Sequence, residues 1–315
     1  MNKNLEKFLR KRKKAIKNPE KYRKVYVNNI EKLDFYIKHG KTESGVPSNE
    51  KLPFFNWEVL NTELLIPCDY YEMDAQASFL DDNLLDLGKL NICLSYGYYM
   101  LTIQSYKFKR FRYRFSREPL RLVSPTSVFQ LSIAVILHNN EYACQIYTLF
   151  QAGYMKHWVN RSKSHIGDFI ILLFDKVKGG NTLKPIVDDF AYQAILDNWD
   201  STDLTEVTAF LNQLCDDQVT QVASPPSKMF FEFDNMNWQF TPYAALMLLT
   251  LRAQHGLENP DFEHPGFGNV TSLLLTQPVA PQKDDVLEQL VAKLHEQGVD
   301  ELLQHRESLG TVVRS

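Results

Sequence analysis

The chain has 315 residues, 44% of them apolar, with 20 Phe, 15 Tyr and 4 Trp, which is too apolar for a disordered segment and long enough to bury one large core or two modest ones. No stretch approaches the ~20 unbroken apolar residues of a membrane span, and no apolar run of about 7–15 residues follows the N-terminal charges as a secretory signal requires; the expected location is the cytoplasm, with no membrane partner. The net charge of −3 is unevenly spread: residues 1–24 carry eleven Lys/Arg and two Glu, residues 107–121 seven Lys/Arg and one Glu, leaving −18 for the remainder, a pattern that suits charge-steered contacts with a partner.

In chain order, residues 1–17 read as a short amphipathic helix with Leu5, Phe8, Leu9 and Ile16 near one side. Asn18 then stands as an N-cap with Pro19 in the first helical position. Tyr22, Val25, Tyr26, Asn29, Ile30, Leu33 and Ile37 recur at helical spacing until Gly40 offers a stop. Residues 40–53 (GKTESGVPSNEKLP) have loop composition. Pro67 is expected to break the next region. Residues 71–106 suit one long helix or two, with Leu80, Leu84, Leu87, Leu90, Leu94 and Tyr98 as a buried stripe; Gly88 and Gly97 either weaken that helix or allow close packing. The stretch FKRFRYRF alternates aromatic and basic residues with period two, the strongest strand signal in the chain, and a helix with a strongly basic face competes with it over 107–116.

After Ser124-Pro125 the pattern is helical. Expected helices are 127–138; 141–153, capped by Asn139 or Asn140; 166–178, ended by Gly179-Gly180; 183–199, capped by Thr182; 203–219, begun at Ser201 or Thr202; 243–255, with Thr241 as N-cap, Pro242 in the first turn and Gly256 as stop; 286–298, opened by Asp284 or Asp285; and 299–309. Residues 257–282 are a Pro- and Gly-containing loop. The sum is an all-α, irregular stack of helical hairpins, with at most one small β element near 107–116. The expected divisions are a basic N-terminal part and linker (1–53), an aromatic-rich part (54–124) and a helical part (125–315), with 54–315 as one domain the alternative. Core residues should include Leu94, Phe129, Ile133, Leu137, Ile146, Phe150, Phe169, Leu172, Leu173, Phe190, Ile195, Phe210, Leu214, Leu246 and Leu249.

Signatures of catalysis do not emerge. Cys68, Cys93, Cys144 and Cys215 have no metal spacing and read as buried or half-buried reduced thiols. Lys178-Gly179-Gly180-Asn181-Thr182 lacks the Lys-Ser/Thr of a phosphate loop and reads as a helix end and turn. There is no HExxH, GxGxxG or GxSxG. His157 and His165 have no third ligand nearby. Adjacent carboxylates such as Asp188-Asp189 and Asp216-Asp217 point about 100° apart on a helix and do not converge as an acid/base pair. As acidic surface they can meet a basic partner. Arg110, Arg112 and Arg114, interleaved with Phe111, Tyr113 and Phe115, could contact phosphates and bases, or present an Arg face to water and an aromatic face to the core. A nucleic-acid role predicts a more basic chain overall, so nucleic acid is not the expected partner. No catalytic residue, cofactor or metal is expected, and self-association stays open.

One further pattern lies in the order of segments from Asp188 onward: an acidic helix (DDFAYQAILDNWDSTDLTEVTAFLNQL), a linker, then FEFDNMNWQFTPYAALMLLTLRAQHGLENPDFEHPGFGNVTSLLLTQP. With Pro242, Tyr243, Ala244, Leu248, Gly256, Pro265, Leu273, Leu274 and Pro278, this block resembles the C-terminal part of the immunity protein 49 family of bacterial polymorphic-toxin systems. The segment SVFQLSIAVILHNNEYACQIYTLFQAGY is similar to mid-chain helices of that family. The resemblance spans about 125–280; the N-terminal third resembles no family, and immunity proteins against polymorphic nuclease effectors share a similar helical half. Either likeness implies a protein that binds a cognate toxin or effector, encoded next to it, and blocks its active site or target surface without catalysis. Scaffold or adaptor function, and nucleic-acid regulation through 1–24 and 107–121, are the rival readings.

Overall fold

The computed structural model describes residues 3–15, 19–43, 53–82, 84–111, 127–155, 164–224, 232–233 and 239–299. They form α1 (Lys3–Ala15), α2 (Pro19–His39), α3 (Pro53–Asp82), α4 (Leu87–Phe111), α5 (Phe129–Ile136), α6 (Asn140–Met155), α7 (His165–Val177), α8 (Gln193–Asp197), α9 (Leu204–Ala223), α10 (Tyr243–Gln254) and α11 (Asp285–Glu296), with two-residue strands β1 (Glu263–His264) and β2 (Gly268–Asn269) before α11. The architecture is all-α with one minute β element. That element is an antiparallel hairpin pairing Glu263 with Asn269 and His264 with Gly268. It does not lie near 107–116: residues 107–111 continue α4, and 112–116 fall outside the described residues, as does the helix expected over 299–309 beyond Val299.

Local chemistry accounts for most element ends. Gly40, Gly256 and Gly298 adopt positive φ after α2, α10 and α11, the left-handed stop that glycine allows without a Cβ clash. Asn139 Oδ1 accepts the Tyr142 N–H at 3.2 Å, Asp203 caps α9, and Asp284 Oδ1 accepts the Leu287 N–H at 2.9 Å to open α11. Two expectations fail. The helix α3 continues through Pro67, so burial of Leu60, Leu64, Cys68 and Phe79 outweighs the roughly 3 kcal/mol that an interior proline costs. The break comes instead before Asp86, whose carboxylate accepts the Lys89 N–H at 3.1 Å and starts α4; Leu84, in that break, is 66% exposed and does not join the buried stripe.

The hairpin of α3 and α4 forms the most extensive helix pair, with α2 laid on α3, α5 on α4, α10 on α5, α1 on α9 and α11 on α2. At the α4–α5 crossing, a Cβ on Gly97 would sit 2.3 Å from Gln130 Cδ, so this glycine serves close approach. A strap of residues 279–282 crosses α4 and α5: Val279 N–H donates to Leu137 O at 3.0 Å, Asn91 donates to Ala280 O and Ser95 donates to Gln282 O at 2.7 Å. The core is continuous from Phe8 in α1 to Val299. Of the expected core residues all are buried except Phe190, which is half-buried against it.

Candidate recognition loop

The most organised polar arrangement lies between α6, α7 and the segment that follows them. Tyr147 and Tyr154 stand seven residues apart on α6, and Asp168 and Asp175 seven apart on α7. Two helical turns separate such pairs, so each pair shares a helix face. Tyr154 donates to Asp168 Oδ1 and Tyr147 to Asp175 Oδ1, both at 2.5 Å, which fixes the two helices as antiparallel. The second oxygen of each carboxylate holds backbone beyond α7. Asp175 Oδ2 accepts the N–H groups of Thr182 and Leu183 at 3.0 and 3.1 Å. Asp168 Oδ2 accepts those of Ile186 and Val187 at 2.6 and 2.9 Å.

Residues 183–199 do not form the expected helix: buried carboxylates hold the N–H groups of Thr182, Leu183, Ile186 and Val187, and only α8 remains helical. The aspartates are 4% and 2% exposed, and hydrogen bonds to charged groups contribute about 1.5–3 kcal/mol each. Burial pushes the Asp168 carboxyl up, opposed by the Tyr154 hydroxyl, the Val187 and Ile186 amides and His165. Gly179, Asn181 and Asp189 take positive φ, which Asn and Asp tolerate better than other side chains. A Cβ on Gly180 would lie 2.0 Å from Asp175 Oδ1, so the first clamp requires glycine there.

The far end of the loop is tied as firmly. His165 Nδ1 accepts the Ala191 N–H at 3.3 Å, and Gln213 Nε2 donates to Ala191 O at 3.1 Å. Tyr192 is buried, packs against Phe169 and Phe190, and bonds Asp217. Asp168, Asp217 and Glu232 are each pushed up by burial, and His165 draws each back down in part. Glu232 closes the start of α7: its Oε2 accepts from Ile166 N at 2.8 Å and Ser164 Oγ at 3.3 Å, while Ser164 Oγ accepts the Gly167 N–H at 3.0 Å. What remains facing solvent is Asn181, Thr182, Lys184, Asp188 and Asp189, carried on backbone anchored at both ends.

The expected partner-binding residues therefore separate. Asp188 and Asp189 are exposed on the clamped loop, not on a helix. Asp216 is exposed but also contacts His264 Nε2 at 3.2 Å, anchoring β1. Asp217 is half-buried and holds Tyr192. The Ala191–Gln213 and Tyr192–Asp217 bonds bring the loop beside α9, so the acidic positions lie on neighbouring segments. Arg110 is in α4, which packs on α3, α5 and α6; its side chain, together with Arg112, Arg114 and His157, lies outside the described residues. The clamp residues Tyr147, Tyr154, Asp168 and Asp175 were not singled out from sequence, although their matched seven-residue spacings in consecutive helices are a signal.

Three other polar clusters lie away from this loop. Glu72 is fully buried and accepts from the Tyr243 hydroxyl at 2.7 Å; burial, reinforced by Cys93, pushes its carboxyl well above the usual range. Cys68 Sγ lies 3.7 Å from Cys93 Sγ and accepts from Gln130 Nε2 at 3.0 Å. Cys144, by contrast, is exposed. Asp284 receives the hydroxyls of Tyr71 at 2.8 Å and Tyr96 at 2.9 Å, joining α3 and α4 to the start of α11. Among the described residues no three His, Cys, Asp or Glu converge as a metal site, and no helix is long and apolar enough to cross a membrane. A crevice between α4 and α11, lined by Tyr99, Ile103, Val291, Leu294 and Val299, holds about 10 Å³, room for about one water and no ligand. No family model, curated protein or solved structure matches the chain.

Proposed function

We propose that the chain is an immunity protein that binds a cognate toxin acting in the bacterial cytoplasm and neutralises it by stoichiometric contact, with no bond-making of its own. The observation that carries this reading is the pair of Tyr–Asp clamps: they hold a non-helical loop in a fixed shape and leave Asp188 and Asp189 in solvent. Pre-ordering a recognition loop lowers the entropy cost of binding. Displayed carboxylates beside α9 complement a basic surface, accelerate encounter and set register, which suits a toxin that itself grips nucleic acid. The sequence likeness over about 125–280 points the same way. The interior supports it too: Asp168, Asp175, Asp217, Glu232 and Asp284 are engaged in holding helices and loop together.

The test is co-purification with the product of the adjacent gene. In low salt a one-to-one complex is expected, weakening as salt screens the acidic face. Failure to form any complex in low salt, with both proteins folded, would remove the reading.

A further inference from the structure

The first helix carries a second charged surface, which the acidic loop does not use. Its inner side is committed: Phe8 is fully buried and packs edge-on against Phe267, Lys11 Nζ donates to Val222 O at 2.5 Å, and Arg12 donates to Gly266 O at 2.8 Å while lying over the Phe79 ring. At 100° per residue, Leu5, Phe8, Leu9 and Arg12 mark the core side. Lys3, Lys7, Arg10 and Lys14 fall directly opposite, within about 60° of arc and along about 16 Å of helix. Lys3, Arg10 and Lys14 are exposed and Lys7 half-exposed. Among the described residues no carboxylate lies within ion-pair distance of any of the four. Like charges one helical turn apart repel, and the one carboxylate of α1, Glu6, stands a turn from Lys3 and Arg10, so the row keeps an excess of positive charge that an external anion would relieve.

We propose that this row binds the phosphate backbone of duplex nucleic acid without sequence preference. The chemistry of α1 favours a phosphodiester chain over other polyanions. Its exposed residues are Lys3, Glu6, Arg10, Lys11, Lys13, Lys14 and Ala15; none is aromatic, and the lysines that predominate are depleted from the centres of protein interfaces. Neither is any aromatic presented for stacking single-stranded bases. The apolar side is packed into the core and cannot insert into a bilayer. What is left is a straight line of cations that can lie along a row of phosphates, where contact is almost wholly electrostatic. Overall acidity does not oppose this, because the positive residues are segregated on one helix face and act locally within a Debye length of about 8–10 Å.

The full chain is titrated into a labelled duplex of about 20 base pairs, by fluorescence anisotropy, between about 50 and 200 mM salt. Four phosphate contacts predict a slope of log K against log salt between about −3 and −4, hence roughly 100-fold weaker binding across that range. Lys7→Gln alone should reduce the slope by about 0.9, and Lys3→Gln/Lys7→Gln/Arg10→Gln/Lys14→Gln should abolish most of the binding while leaving the thermal unfolding midpoint in place. Three results would each overturn the proposal: no duplex binding at the lowest salt, an unchanged slope in the fourfold variant, or displacement of the duplex by vesicles of anionic lipid at equal charge concentration.

Discussion

Replacing Glu72 with Gln should flatten the pH dependence of stability above the ordinary carboxylate range. Glu72 is fully buried; one oxygen accepts the Tyr243 hydroxyl at 2.7 Å and the other has no partner among the described residues. Ionising it in place would strand a charge in the core, so burial, with Cys93 adding to it, lifts its pKa well above the ordinary carboxylate range. The folded chain then holds one proton more than the unfolded chain between those two pKa values. Glu72 accordingly contributes its full stability below the unfolded value, and that contribution is lost as pH rises toward the folded one, at about 1.4 kcal/mol per pH unit. Glutamine keeps the shape and the acceptor but has no proton to release. Urea unfolding of both proteins at a series of pH values above 4.5 should show the wild type losing about one proton's slope relative to Glu72→Gln. Parallel pH profiles would show instead that Glu72 ionises as readily in the fold as in the unfolded chain.

Other expectations follow from single contacts. Arg252 is 1% exposed and donates to Trp199 O, Ser201 O, Glu258 O and Asn259 Oδ1 at 2.7–3.1 Å; Arg252→Ala strands these acceptors and should cost about 3–5 kcal/mol in urea unfolding, a loss under about 1 kcal/mol arguing against the clasp. Gly97→Ala should cost about 1–3 kcal/mol by forcing Gln130 aside, and a companion Gln130→Ala should return most of it; no recovery would place the strain elsewhere. Tyr147→Phe and Tyr154→Phe should each cost about 1.5–3 kcal/mol, and amide exchange should quicken at 182–183 for the first and at 186–187 for the second, whereas uniform exchange across the loop would contradict independent clamps.

Much of the helical frame was legible because its signals are local. Pro19, Gly40, Asn139, Gly256 and Asp284 act on backbone within a turn of themselves, and the structure places helix ends at or beside each. The failures arise where distant groups decide. Residues 183–199 carry a helical pattern, yet the backbone of 182–187 is tied to Asp168 and Asp175 on the preceding helix. Pro67 carries a break signal that packing of α3 against α4 overrides. The carbonyls gripped by Arg252 have no side-chain identity, so no motif announces them. The loop carboxylates were visible as charge, but their separation into displayed residues (Asp188, Asp189) and engaged ones (Asp217) depends on where Tyr192 lands.

Calorimetric titration of the purified partner against loop variants decides whether the clamped loop is the surface that meets it. Asp188→Lys with Asp189→Asn reverses the displayed charge while keeping a residue that tolerates the positive φ of Asp189; Glu288→Lys, exposed on α11, is the control. Loss of two close charge pairs predicts at least about a tenfold rise in Kd for the loop variant and none for the control. An unchanged Kd for the loop variant, or an equal loss for both, would contradict that role for the loop.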